Sequence, residues 1–236
     1  MGMIIEICAN SYESAKAAME GGASRIELCT NLSVGGLTPS RELIRKVITE
    51  LNIAVHVLIR PRGGNFVYSD YEIETMLDVI AFCKKTGCSG IVSGILTSEN
   101  TIDEKATRRL IAASKGLEFT FHRAFDMVKD PSEAIETVMQ LGATRLLSSG
   151  QQNKAIDGIE MLIQLRALSE GKLQIMPGSG IHFENALVFK KAGFEMIHFS
   201  ATKKGKEGSN EAGLFENTVI GTSDRNEIER IIKLLA

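Results

Sequence analysis

A chain of 236 residues, 44% hydrophobic and 24% charged, has ample apolar material for a core, and its formal charge of −2 is close to balanced. That balance excludes the cationic excess with which nucleic-acid binders and polybasic membrane-surface proteins neutralise phosphate. No apolar run reaches the roughly 18 residues of a spanning helix, and the opening MGMIIEICANSYES has no basic segment leading into a long apolar one, so a cytoplasmic protein is expected.

Taken in chain order, β-branched runs predict strands over 3–8, 24–29, 53–60, 88–95, 117–122, 144–148, 173–176 and 194–200. Between them lie amphipathic stretches with helix-start chemistry: Asn10 with Glu13, Thr38 before Pro39, Ser69 with Glu72, and Asp130 before Pro131. Ser223 and Asp224 open a last helix, NEIERIIKLLA. Gly22, Gly87, Gly142 and Gly193 recur at the ends of helices that lead into strands two, four, six and eight, a weak internal repeat built on glycine helix stops. Eight strand–helix units without a composition break predict an α/β fold of the (β/α)8 TIM-barrel type, with 1–236 as a single domain. The competing dinucleotide-binding sheet would place GxGxxG after the first strand, where this chain reads CANSYES. One long segment, about 202–223, is expected as a loop between the last strand and helix; its length suggests a functional or contact role.

Period-two alternation then assigns faces. Glu6 and Cys8 share one face of the first strand, and Glu27 and Cys29 the matching face of the second. His56, Leu58 and Arg60 follow on the third, Thr120 and His122 on the fifth, His198 and Ser200 on the eighth. Their neighbours are apolar, so the polar set should point into the barrel and the chemistry should sit at the C-terminal strand ends. Mid-strand His56 reads as a hydrogen-bonded core residue. His122 closes its strand before RAFD, which suggests an acid/base role with Asp126 as its carboxylate and Arg123 beside it. A buried Glu27 needs a cation, and Arg60 on the adjacent strand is the expected partner.

Glycine loops add anion-binding character. RPRGGNF offers Arg60 and Arg62 beside two glycines, and MPGSG offers backbone N–H groups at Gly178, Ser179 and Gly180 after the seventh strand. No lysine lies on a barrel strand, which disfavours Schiff-base chemistry, and no HxH pattern marks a hydrolytic metal site. Cys8, Cys29, Cys83 and Cys88 contain no CxxC pair and no zinc-ribbon spacing. The inventory suits an enzyme acting on a small anionic metabolite, phosphorylated or carboxylated, with Glu27 and His122 as acid/base groups. A scaffold without chemistry explains it least.

The ordered segments RIELC, GGLTPS, IRPRGGNFVYSD, FHRAFD, SSGQ and MPGSG closely resemble the CutC family of copper homeostasis proteins over about 3–201. The resemblance implies a cytoplasmic TIM barrel, a homo-oligomer (dimer or tetramer), with Cu(I) as its ligand and Cys29 of the ELC segment as a metal-binding thiol. Two positions depart from the family pattern: Asn65 stands where Asp is usual, and Val67 where Cys is common. A second thiol must then come from elsewhere, and Cys8 on the neighbouring strand is the best placed.

Overall fold

The computed structural model describes residues 2–203 and 221–236. All eight expected strands are present: β1 (Ile4–Ala9), β2 (Arg25–Leu28), β3 (Ala54–Leu58), β4 (Gly90–Ser93), β5 (Glu118–Phe121), β6 (Arg145–Ser148), β7 (Gln174–Pro177) and β8 (Met196–Phe199). They pair in parallel in the order β7-β6-β5-β4-β3-β2-β1-β8, and a bridge between Gly178 and His198 closes the ring. Among the described residues, eight helices follow the strands: α1 (Tyr12–Glu20), α2 (Arg41–Glu50), α3 (Asp70–Thr86), α4 (Glu104–Ala113), α5 (Pro131–Leu141), α6 (Ile159–Ser169), α7 (Phe183–Lys191) and α8 (Arg225–Leu235). The architecture is the expected (β/α)8 barrel.

Local chemistry sets most helix ends. Ser69 and Glu72 form the reciprocal capping box, and Asp130 accepts from Ser132 and Glu133 ahead of Pro131. Two caps differ from expectation. Ser11, not Asn10, caps α1, and Ser40, not Thr38, caps α2. Asn10 instead accepts from the Ser14 hydroxyl and donates to the Gly221 carbonyl, while the Thr38 hydroxyl accepts the Arg60 N–H. Both side chains are claimed by loop contacts that no local pattern reveals. Gly22, Gly87, Gly142 and Gly193 all take the left-handed backbone expected of helix stops. Of the long segment near 202–223, positions 204–220 lie outside the described residues; its two ends pair antiparallel as β9 (Thr202–Lys203) and β10 (Thr222–Ser223).

The main apolar core fills the space between barrel and helices, where Ile26, Leu28, Val57, Ile59, Phe119 and Phe121 meet residues such as Ile44, Ile80 and Leu110. Inside the ring the packing is different. Two small apolar clusters, Cys8, Cys29, Leu58 and Val92 in one and Leu147, Met176 and Met196 in the other, pack beside a charged network. Glu6 takes Arg25 at 2.5 Å and His198 at 2.9 Å, and His56 lies 3.8 Å away. His56 reaches Glu118 at 3.2 Å, and Glu118 holds Arg145 at 3.0 Å. Burial alone would push the Glu6 carboxyl up. The His198 hydrogen bond and the charges of His198, Arg25 and His56 outweigh it and hold the group well below the usual carboxylate range. Such a ladder sets orientation at the cost of desolvation, and its members depend on one another.

Candidate functional site at the C-terminal mouth

The C-terminal strand ends surround a cavity of about 800 Å³, within the size range of small-molecule sites. β1, β2 and β8 are contiguous in the ring and supply its sulfur-rich wall. Alternation on β1 brings Cys8 inward above Glu6, and alternation on β2 brings Glu27 and Cys29 inward above Arg25. The Cys8 and Cys29 sulfurs stand 3.6 Å apart, and the Cys8 thiol donates to Glu27 Oε1 at 3.7 Å. Cys29 is fully buried, whereas Cys8 touches the cavity. Thiol and carboxylate ligand atoms of Cys8, Glu27 and Cys29 all fall within 4.8 Å of one another, as do those of Glu6, Glu27 and His198.

The electrostatics of this wall follow from burial and mutual contact. The hydrogen bond with Cys29, reinforced by burial, raises the Cys8 thiol well above its ordinary value. Burial lifts the Glu27 carboxyl to about 7, against the opposing pull of His198. His198 is disfavoured as a cation by burial, yet Glu27, Cys8 and Glu6 together raise it well above an ordinary histidine. Both shifts favour the protonated forms of Cys8 and His198.

The expected Glu27–Arg60 pair does not form. Arg60 spends its fork on backbone carbonyls, those of Val34 and Gly36 through Nη1 and of Gly64 through Nη2, and stacks over Phe66 with its central carbon 4.9 Å from the ring centre. It still lines the cavity. Arg62 turns away from the mouth to Glu72 at 2.6 Å and to the Asn65 and Val67 carbonyls, so it does not share the wall.

His122 and Asp126 also part company. Asp126 accepts from Ser148 Oγ, the Ser149 N–H and hydroxyl, the Gln151 N–H and Arg123 Nε, at 2.6–3.3 Å. It ties the loop after β6 to the 3-10 turn at Arg123–Met127 and does not orient His122. The His122 ring is fixed by the backbone: Nδ1 accepts the Ala124 N–H at 3.2 Å. Burial, with Arg60 and Arg123 nearby, lowers its pKa to about 3. Of the remaining sequence candidates, Arg123, Ser179, Gly180, His198 and Ser200 line the cavity, and Gly178 lies behind it, its N–H donated to the Ser148 carbonyl.

Sequence reasoning passed over Arg25 and Glu118, although each lies two residues from an inward position already assigned, and over Arg145 at the start of β6. It also missed Gly90 and Gly94 on the β4 side. A methyl at Gly90 would meet the His56 ring at 2.8 Å, and one at Gly94 would meet His122 Nδ1 at 2.6 Å, so both histidines lie flat against a strand stripped of side chain. Period two would have found the charges; only the tertiary pairing shows why the glycines are needed.

The fold and site define a TIM barrel whose mouth joins a buried dithiol to histidine and carboxylate. The model of the CutC family matches residues 3–203, and the chain belongs to that family. A CutC family protein of Bacteroides fragilis is 44% identical over 231 residues, covering 94% of this chain and 91% of that one. The human copper homeostasis protein cutC homolog is 43% identical over 208 residues, 88% of this chain and 76% of its own. The structure of a CutC protein from Streptococcus agalactiae superposes with a TM-score of 0.79 at 36% identity, over 84% of this chain and 98% of that one. An aldolase superposes with a TM-score of 0.63 at 11% identity, a likeness of fold alone.

Proposed function

We propose that this chain binds Cu(I) as cargo on Cys8 and Cys29 and serves copper homeostasis. The observation that carries the reading is the pair of sulfurs 3.6 Å apart at the end of the barrel interior, with Glu27 and His198 beside them. Thiolate is the soft ligand type that selects Cu(I), and apolar Leu58 and Val92 pack against the pair. Cys8, at the cavity wall, is the point of entry; Cys29, behind it, completes the pair. The thiols must lose their protons to the bulk as the ion arrives. Two thiolates and one Cu(I) carry a net negative charge, which His198, in surroundings that favour its protonated form, is placed to offset. The human relative is named for copper homeostasis, which agrees with this reading.

Anaerobic titration of Cu(I) against bicinchoninate, on the wild type, Cys29→Ser and Cys8→Ser, tests it. One equivalent bound more tightly than by the competitor, and weakened in both variants, is expected. Affinity no better than the competitor's, or untouched by either substitution, would sink binding at this pair.

A further inference from the structure

Beside the thiols, on β3 and further round the ring, the cavity has a wall that the copper reading does not use. Arg60 is buried to 5% exposure and no carboxylate lies within ion-pairing distance among the described residues. Its neighbours Val34, Gly36 and Gly64 supply neutral carbonyls, which hold the guanidinium without cancelling its charge. An uncompensated buried cation is costly, and an anionic ligand would offset that cost. Phe66 lies against both Arg60, 4.9 Å from its ring centre, and the His122 ring, centres 5.0 Å apart, so the three are contiguous.

His122 supplies the second observation. It is 5% exposed, and its Nε2 is buried without a partner. Because Nδ1 accepts a backbone N–H, the ring's single proton resides on Nε2, leaving one unspent donor. Buried donors are seldom left unpaired in a native structure unless a ligand or water takes them. Further round the ring, the loop after β7 has most of its polar atoms accounted for: Gly178 N–H goes to Ser148, the Ser179 carbonyl to Ala155, the Gly180 carbonyl to Asn185 and the His182 N–H to Asn185. The N–H groups of Gly180 and Ile181 find no acceptor among the described residues, and both residues line the cavity.

We propose that this wall binds a small organic oxyanion, its charge balanced by Arg60 and one of its oxygens accepting the Nε2–H of His122. The Gly180 and Ile181 N–H groups offer a second anchor for a negatively charged oxygen. A cavity of about 800 Å³ exceeds what inorganic phosphate fills, so the ligand has an organic body. Arg60 acts chiefly through its charge: carbonyls take both Nη1 donors and one on Nη2, while its Nε–H is buried without a partner. His122 is the contact residue and the specificity element, a donor that stays a donor without carrying charge. This site stands independently of copper, because it shares none of the thiols.

The test uses copper-free full-length protein with three probes: inorganic phosphate, pyruvate and 3-phosphoglycerate, with glycerol as the neutral control. Tm and the 15N resonance of His122 Nε2 are followed as each probe is added. Saturable rises in Tm with a shifted Nε2 signal are expected for at least one organic anion, exceeding phosphate alone and absent with glycerol. A response to 3-phosphoglycerate only assigns a phosphorylated ligand, and one to pyruvate as well assigns a carboxylate. His122→Phe keeps the ring against Phe66 but lacks the donor, and should bind at least about tenfold more weakly while binding Cu(I) as the wild type does. No response to any anion, or a response to which the His122 signal is blind, overturns the proposal. If the variant fails to fold, the wild-type resonance still decides.

Discussion

Replacing Glu27 by glutamine probes the mouth directly, because it removes the carboxyl's charge while keeping its shape. Glu27 Oε1 accepts only the weak Cys8 thiol, and Oε2 is buried without a partner. Burial raises its pKa from 4.5 to about 7, so the folded protein binds this proton more tightly than the unfolded chain does. The sign follows from linkage: below 4.5 both states are protonated and the group's contribution is fully present, and as pH rises through about 7 that stability is lost. The full shift is worth about 3 kcal/mol. The amide introduced by Glu27→Gln has the same shape as the carboxyl and never ionises. The variant should therefore match the wild type's pH trend near pH 4.5 and pull ahead by about 3 kcal/mol at pH 8, roughly 6–12 °C in Tm. The chain has no tryptophan, so urea unfolding of metal-free protein is best followed by helical circular dichroism. A stability difference between the two proteins that is flat with pH, or that turns against the variant as pH rises, would refute the account of Glu27 as a carboxylate held at a cost.

Glu6→Ala should be among the most damaging single changes, costing about 3–5 kcal/mol, because Arg25 and His198 would stay buried without their shared anion; a loss under about 1 kcal/mol in urea would contradict the ladder. Asp126→Ala removes the acceptor for Ser148, Ser149, Gln151 and Arg123 and should cost roughly 2–4 kcal/mol, while leaving Cu(I) affinity unchanged; a selective loss of binding without a loss of stability would return Asp126 to the site. Cu(I) affinity should climb with pH, about tenfold per pH unit for each proton displaced, since Cys8 holds its proton well above an ordinary thiol. Competitor titrations at mildly acidic, neutral and mildly alkaline pH measure this directly, and a pH-independent affinity would mean that the thiols are not the ligands.

The alternation of short apolar runs with capped amphipathic segments was enough to determine the barrel, because each strand and helix is specified by its own residues and eight such units have few ways to close. The inward face was legible for the same reason: on a strand, parity is geometry, and Glu6, Cys8, Glu27, Cys29 and His198 share it. What parity cannot supply is partnership. Arg60 and Glu27 sit on adjacent strands yet do not meet, since the loop carbonyls of Val34, Gly36 and Gly64 reach the guanidinium first. Asp126 lies close behind His122 in the chain and serves Ser148 and Ser149 instead, brought in from the next strand. Hydrogen bonds are short-ranged and a side chain takes whichever acceptor the closed ring presents. The residues that face the mouth are thus a property of the sequence, whereas which of them remain unspent, His122 Nε2 and the charge of Arg60 above all, is decided only when distant loops fold over the strand ends and claim the rest.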